Sequence, residues 1–576
     1  MMNVSSNLIS QRLNLINKTS GLSQVQSVPA QPSFKGGNLI SQYLENAARI
    51  NSPIVNKASD LNSVDKKPYK NDLRTLFLTN NAKILAIIPR TFNAKDTDGN
   101  EYINDNEIHG TFLNAIERLD EVKADGFNTL HVLPINPPGQ STAMGTAGSV
   151  YAPADLLKID PVLIDKNDSR SDKEQFKAFV DECHKRGLRV MVDMPSCASC
   201  DLYNSKPELM AHERNGLAKT PQGWYDIRMF EPWEDEGKRT LNPELLEYHR
   251  KFVDMMIDAG VDGIRADVAR AKPVEFWDII IPYSHKRDPE FAWLAESYTY
   301  EDASPQANMP YDRPEDSLRA GFDAYYGQYH IFHEWNTAKE LHDYVLDNLN
   351  MSYRVERGKS LIGSFATHDD ISPMSHGGEI YCNMTTGLQM TLPMLNPYFV
   401  DGFQSGDKYD YNYRGKYSTQ TRTDNHEMTV HQNKLDIFNL SRKPGGDNPK
   451  IGKFMTEAFK MRDKYDDVMR RGSYIILDKV GDKQDKVIAF ARHRQGRTVL
   501  VLANKNVNRH VACTVEVPTL KANQKLVNLL PAYGEKSKFQ VSQGEIAVDL
   551  APGRVHVFEI DTPYIESYTK QVYKQH

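Results

Sequence analysis

The chain has 576 residues, a formal net charge of -6, 40% hydrophobic residues and 25% charged residues. That length leaves room for more than one domain, and the composition is that of an ordinary globular protein. The mild acidity offers no basic footprint for nucleic acid. No run approaches the ~20 apolar residues that span a bilayer, so no membrane partner is expected.

The opening MMNVSSNLISQRLNLINKTSG lacks the apolar core of a secretory signal, and the expected location is cytoplasmic. Residues 1–75 are rich in Ser, Asn, Gln and Lys and read as a mostly disordered tail, with a short helix around Leu39 to Ala48.

From Ile84 the pattern changes. Short apolar runs alternate with stretches of helical period: ILAIIPR at 84, FNTLHVLP at 127, LRVMVD at 188, DGIRAD at 262, EFAWLAE at 290, AGFDAYY at 320, LIGSFA at 361 and NPYFVD at 396. The segments KEQFKAFVDECHKRG and LLEYHRKFVDMMIDAG precede the third and fourth runs, and both end in Gly, as helices often do. Continuous apolar strands alternating with helices predict a parallel sheet covered on both faces. Eight units predict an α/β fold, the (β/α)8 TIM barrel, over residues 76–465. An open doubly wound sheet would carry a glycine-rich phosphate loop after an early strand, and none is evident.

After the third run a long connection, about 194–244, holds Trp224, Trp233 and many Pro and Gly residues, and reads as an inserted lobe. Its Cys197 and Cys200 form a lone CxxC, read as two unpaired thiols because no further metal ligands accompany them. Residues 466–576 read as an all-β sandwich. VIAFARHRQGRTVLVLANK supplies two strands and EIAVDLAPGRVHVFEI another pair.

In a barrel of this kind the chemistry lies where strands end. Here the runs end in Asp193, Asp267 and Glu296, with His368 and Asp369 just past the seventh. Each alone reads as easily as a helix cap, but four such endings suggest one pocket. Convergent carboxylates suit glycoside hydrolysis with retention, in which one attacks the anomeric carbon and another protonates the leaving oxygen from ~5–5.5 Å away. Arg265 lies two residues before Asp267, on the same face of the strand, and would hold it ionised as a nucleophile. Glu296 sits among apolar residues in WLAES, where desolvation would raise its pKa toward that of an acid.

These segments resemble glycoside hydrolase family 13, the α-amylase family. GIRAD at 263–267 resembles the segment that pairs an Arg with the Asp nucleophile, and LAE at 294–296 the segment ending in the acid/base Glu. THD at 367–369 resembles the segment with a substrate-binding His and a transition-state-stabilising Asp, and VMVD at 190–193 the segment ending in a structural Asp. VYAPADLLKIDP at 150–161 resembles the stretch whose Tyr, here Tyr151, stacks on the sugar. LNPE at 241–244 and LQMTLPMLNPYFVDG at 388–402 agree with the end of the inserted lobe and the eighth strand.

The chain departs from the family where Asn-His usually ends the third-strand segment, here Cys197 and Ala198, and where His often stands four residues after the nucleophile, here Ala271. ADVARAKPVEFW at 266–277 is closer to the maltosyltransferase branch, which uses maltose 1-phosphate, and Arg270 and Lys272 are candidate contacts to an acceptor sugar or phosphate. The resemblance implies cleavage of α-1,4-type bonds in an α-glucan or maltooligosaccharide by double displacement. Hydrolysis is the leading expectation; maltosyl transfer and a non-catalytic carbohydrate-binding role are the alternatives. No organic cofactor is expected.

One loop falls outside this pattern. DTDGNEYINDNE places Asp96, Asp98, Asn100, the Tyr102 carbonyl and Glu107 at the spacing of an EF-hand-type calcium loop, except that Glu101 replaces the sixth-position Gly. An acidic solvated turn is the equal alternative.

Overall fold

The computed structural model describes residues 71–99, 103–145, 147–221, 226–297, 314–326, 328–355, 360–363, 365, 367–370, 372–408, 448–481 and 484–575. The tail up to residue 70, with its expected helix, and Asn100, Tyr102 and Trp224 lie outside them.

Eight strands form a closed parallel barrel: β1 (Ile84–Ile87), β2 (Thr129–Val132), β3 (Arg189–Met194), β4 (Gly263–Ala266), β5 (Ala292–Ala295), β6 (Ala324–Tyr326), β7 (Ser360–Gly363) and β8 (Leu395–Val400). Each pairs with its neighbours in sequence, and β1 closes on β8 with Ile84 opposite Tyr398. Every residue of β1 to β5 is buried, as strands packed on both faces must be.

The chain enters the barrel through helix α1 (Leu73–Leu78), capped by the Asp72 side chain on Thr75 N–H. The expected tail therefore ends short of residue 75. Leu73, Leu76 and Phe77 bury against the inward-facing residues of the strands. Outside the barrel, α2 (Asp172–Lys185), α3 (Pro243–Asp258), α4 (Val274–Arg287), α5 (Ala338–Arg354), α6 (Pro373–Thr391) and α7 (Pro449–Lys464) follow. The sequence accounts for their starts. Ser171 and Glu174 make a capping box for α2. Asn242 caps α3 with Pro243 in the first turn. Among the described residues no helix is long and apolar enough to cross a membrane.

Within the inserted segment two small antiparallel pairs form, Cys197–Ser199 with Ile227–Met229 and Trp233–Asp235 with Thr240–Leu241. After the short helix α8 (Asp466–Arg471), a six-stranded and a four-stranded antiparallel sheet enclose a common apolar cluster. Val487–Arg494 and Arg497–Asn504 form the expected hairpin. Glu545–Leu550 and Val555–Ile560 are both strands, but they do not pair. The first lies between two partners in the smaller sheet, and the second crosses to the larger one beside Arg497–Asn504.

Candidate active site

Strand register brings the charged residues together. Parallel pairing sets Asp193 of β3 opposite Arg265 of β4, and Arg265 opposite Leu294 of β5. Asp267 and Glu296 follow the last residues of β4 and β5. The Arg265 guanidinium, 1% exposed, sits among three carboxylates. Its Nη1 donates to Asp193 Oδ1 at 2.8 Å and to Asp267 Oδ1 at 2.8 Å, and its Nη2 lies 2.7 Å from Glu296 Oε2. The same-face relation of Arg265 and Asp267 follows from the two-residue strand period. The contact with Glu296 comes from the neighbouring strand.

One cation cannot balance three buried carboxylates. Burial, with repulsion from Glu296 and Asp193 and against the pull of Arg265, pushes Asp267 up to about 8. Burial would raise Glu296 too, but the Arg265 charge and the Val268 N–H, 2.7 Å from Oε2, hold it below its ordinary value. Asp193 is held low in the same way, burial being overcome by the Arg265 charge. Asp267 and Glu296 also hydrogen-bond each other, so their protons belong to the pair. The shifts run upward for Asp267 and downward for Glu296, the reverse of the expected directions. The guanidinium reaches both acids, and Glu296 has the additional N–H.

That N–H comes from a strained residue. Val268 adopts φ 36°, ψ 61°, a left-handed conformation costly for a β-branched side chain. The turn lets Val268 face Glu296 while Ala269 N–H bonds the Glu296 carbonyl at 3.2 Å. Ser196 ties down the other side, its N–H 3.3 Å from Asp267 Oδ2 and its hydroxyl donating to the Asp267 carbonyl.

Tyr151 and His368 complete one wall. The Tyr151 hydroxyl donates to Asp193 Oδ2 at 2.8 Å and meets His368 Nε2 at 2.7 Å. A hydroxyl has one proton, so His368 must donate from Nε2. Their rings stack at 5.7 Å and 17°. Asp369 is partly exposed, with Oδ2 3.6 Å from His368 Nε2.

His131, in the middle of β2, is a member of this group that the motifs do not mark. It is fully buried, its Nδ1 2.9 Å from the Tyr398 hydroxyl and its Nε2 3.3 Å from Asp193 Oδ2. Burial pushes its pKa down. The available signal was a lone histidine inside the apolar run FNTLHVLP.

The two cations after β4 are both buried. Arg270 is in a one-turn 3-10 helix, Ala269–Ala271, and is largely buried. Lys272 is 1% exposed, donates to the Ser196 carbonyl at 2.7 Å and lies 4.9 Å from the centre of the Phe230 ring. It braces the loop after β3. Cys197 is buried, with its thiol pushed by desolvation up to about 12, and Cys200 is half-buried; both are free thiols.

In the first barrel loop the ligand atoms of Asp96, Asp98 and Glu107 lie within 4.8 Å of one another. Backbone N–H groups of Asn104, Thr97 and Asp98 hold Glu107 at about 2, so it is ionised. Those same donors occupy both of its oxygens. The acids present suit a hard dication, while the closed hydrogen bonding suits a self-contained turn.

No protein-family model matches the chain. Among curated proteins, an α-1,4-glucan:maltose-1-phosphate maltosyltransferase of Bifidobacterium animalis subsp. lactis is 23% identical over 511 residues, 80% of this chain and 61% of that protein. A second, from Streptomyces coelicolor, is 24% identical over 481 residues, 79% of this chain and 65% of that protein. The chain thus spans less than two thirds of the length of either. The fold matches a maltogenic α-amylase of Thermotoga neapolitana with TM-score 0.61 and 21% identity, covering 84% of this chain and 99% of that one. It also matches an α-amylase of Lactobacillus plantarum with TM-score 0.60 and 20% identity, covering 84% and 99%.

The chain resembles glycoside hydrolase family 13. Within this α-amylase family, its sequence relatives carry the maltosyltransferase name. The family motifs fall at the C-terminal ends of the strands, where barrel enzymes assemble their sites.

Proposed function

We propose that the protein is a retaining α-glucan-active enzyme that transfers maltosyl units from maltose 1-phosphate to an α-1,4-glucan. The observation that carries this reading is the joining of Asp267 and Glu296 through Arg265 at the barrel mouth, in a chain whose curated relatives are maltosyltransferases. Transfer thereby displaces hydrolysis as the leading reading. Ala198 and Ala271, where amylase-type histidines were missed, support the same direction.

In this reading Asp267 reacts as the carboxylate and Glu296 carries the proton of the pair. The Asp267 carboxylate attacks the anomeric carbon, and Glu296 gives its proton to the departing phosphate oxygen as that bond breaks. A covalent maltosyl–Asp267 ester forms, leaving Glu296 as a carboxylate. The 4-hydroxyl of a glucan end then attacks that carbon. Glu296 takes the hydroxyl proton, and the Asp267 carboxylate leaves. Two inversions keep the α configuration. Arg265 holds both acids in register, and Asp193, Tyr151 and His368 hold Arg265 and the wall beside it. Asp369 is assigned to substrate hydroxyls.

The test is product analysis with maltose 1-phosphate and a maltooligosaccharide acceptor. Chains longer by two glucose units, with phosphate released in equal amount, support transfer. Free maltose as the sole sugar product at every acceptor concentration refutes it in favour of hydrolysis. Asp267→Asn and Glu296→Gln should each lower turnover by about 10³-fold or more with the fold retained. Near-wild-type rates in folded Asp267→Asn would remove the nucleophile assignment.

A further inference from the structure

At the end of the barrel opposite the mouth, a cavity of about 710 Å³ opens between the ends of α1, α5 and α8 and the strand Val487–Arg494. The residues just before β1, Thr79 and Asn80, form one wall, and Arg470, Arg471 and Arg494 form another. The volume lies within the ~300–1,000 Å³ of small-molecule sites.

The charge around it is unbalanced. Arg470 is paired with Asp466 and also bonds the Thr79 carbonyl at 2.9 Å. Arg494 uses one N–H on the Arg471 carbonyl. Arg471 is exposed and makes no ion pair among the described residues. A guanidinium has five N–H donors, so Arg471 and Arg494 both keep donors to spare.

Behind them stand two buried arginines whose hydrogen bonds go to carbonyl oxygens. Arg492, fully buried, donates to the carbonyls of Thr391, Gly472 and Ser473 and to the side chain of Gln575, itself a cavity residue. Arg462, 1% exposed, donates to the carbonyls of Met390, Asn80 and Leu395. Burial and repulsion from neighbouring arginines push both down, Arg492 to about 9 and Arg462 to about 10. Carbonyl dipoles from the helix ends account for single contacts of Arg470 and Arg494. Among the described residues no carboxylate makes an ion pair with Arg462, Arg471, Arg492 or Arg494, and Asp463 and Asp466 act on Arg462 only from a distance.

We infer that this cavity is a binding site for a phosphate-bearing small molecule, held by Arg471 and Arg494 and separate from the barrel mouth. Planar guanidinium groups with free paired donors match phosphate oxygens. The Arg492 charge behind Gln575 adds attraction from the side.

The experiment titrates the full chain with inorganic phosphate, then with glucose 1-phosphate, by calorimetry at constant ionic strength set with chloride. Glucose is the uncharged control, and melting is followed in parallel. The wild type should bind phosphate saturably and melt higher with it. The variant Arg471→Ala with Arg494→Ala should bind at least tenfold more weakly while melting normally in chloride. Both side chains reach solvent, so folding should survive. If it does not, the Lys pair at the same positions keeps the test open, retaining part of the affinity.

Tighter binding of glucose 1-phosphate than of phosphate would mark a sugar phosphate as the ligand; equal binding would mark the free anion. Two results overturn the inference: no saturable phosphate binding by the wild type, or unchanged affinity in the folded Ala or Lys pair, which would place the bound phosphate elsewhere.

Discussion

Removing Arg265 tests the electrostatic frame of the site. The guanidinium is buried and contacts Asp193, Asp267 and Glu296 at 2.7–2.8 Å. In Arg265→Ala those acids stay buried without their cation, and breaking a buried ion pair from one side costs about 3–5 kcal/mol. Protonation of the acids would relieve part of that cost, so the loss depends on pH. In the wild type Asp193 and Glu296 lie below their ordinary values. They add stability above the unfolded carboxylate range, and it is lost as pH falls through their folded values. In the variant burial acts unopposed and raises all three acids. They then favour folding only while protonated, and that contribution disappears as pH rises. The gap between the two proteins should widen from pH 5 to pH 8. Urea unfolding at both pH values measures it, with Arg265→Lys as the control that keeps a charge. A loss below about 1 kcal/mol at pH 8, or a loss equal at both pH values, would refute the shared-cation account.

Three further outcomes are expected. Val268→Gly should relieve the left-handed strain and raise stability by about 1 kcal/mol, while turnover falls because the N–H that positions Glu296 is less constrained; unchanged stability, read from the melting temperature, would count against strain at Val268. If the loop around Asp96, Asp98 and Glu107 takes calcium, added calcium should raise the melting temperature, chelator should lower it, and Asp98→Ala should abolish the difference; a melting curve indifferent to millimolar calcium leaves the acidic turn. Iodoacetamide on the native protein at pH 8 should label Cys200 well before Cys197, whose buried thiol remains protonated there; peptide mapping that finds Cys197 labelled first would contradict its placement.

Much of this architecture was legible locally. Alternating apolar runs and amphipathic helices specify strands, helices and their order, because a period of two or of 3.6 is written in consecutive residues. The runs that end in Asp193, Asp267 and Glu296 placed those acids at the strand ends, and the Arg265–Asp267 pairing needed only the two-residue period. Four features were decided by packing. Glu545–Leu550 and Val555–Ile560 look like a hairpin, yet each strand has different partners, since pairing is set by which faces bury together. Lys272 reads from the sequence only as a cation past a strand, and the fold closes Phe230 and the Ser196 carbonyl around it. His131 is one residue of an apolar strand until the closed barrel sets it between Tyr398 and Asp193. Glu296 is held below its ordinary range because Arg265 and the Val268 N–H converge on it. Desolvation and charge balance depend on distances between strands far apart in sequence, and such distances exist only once the barrel has closed.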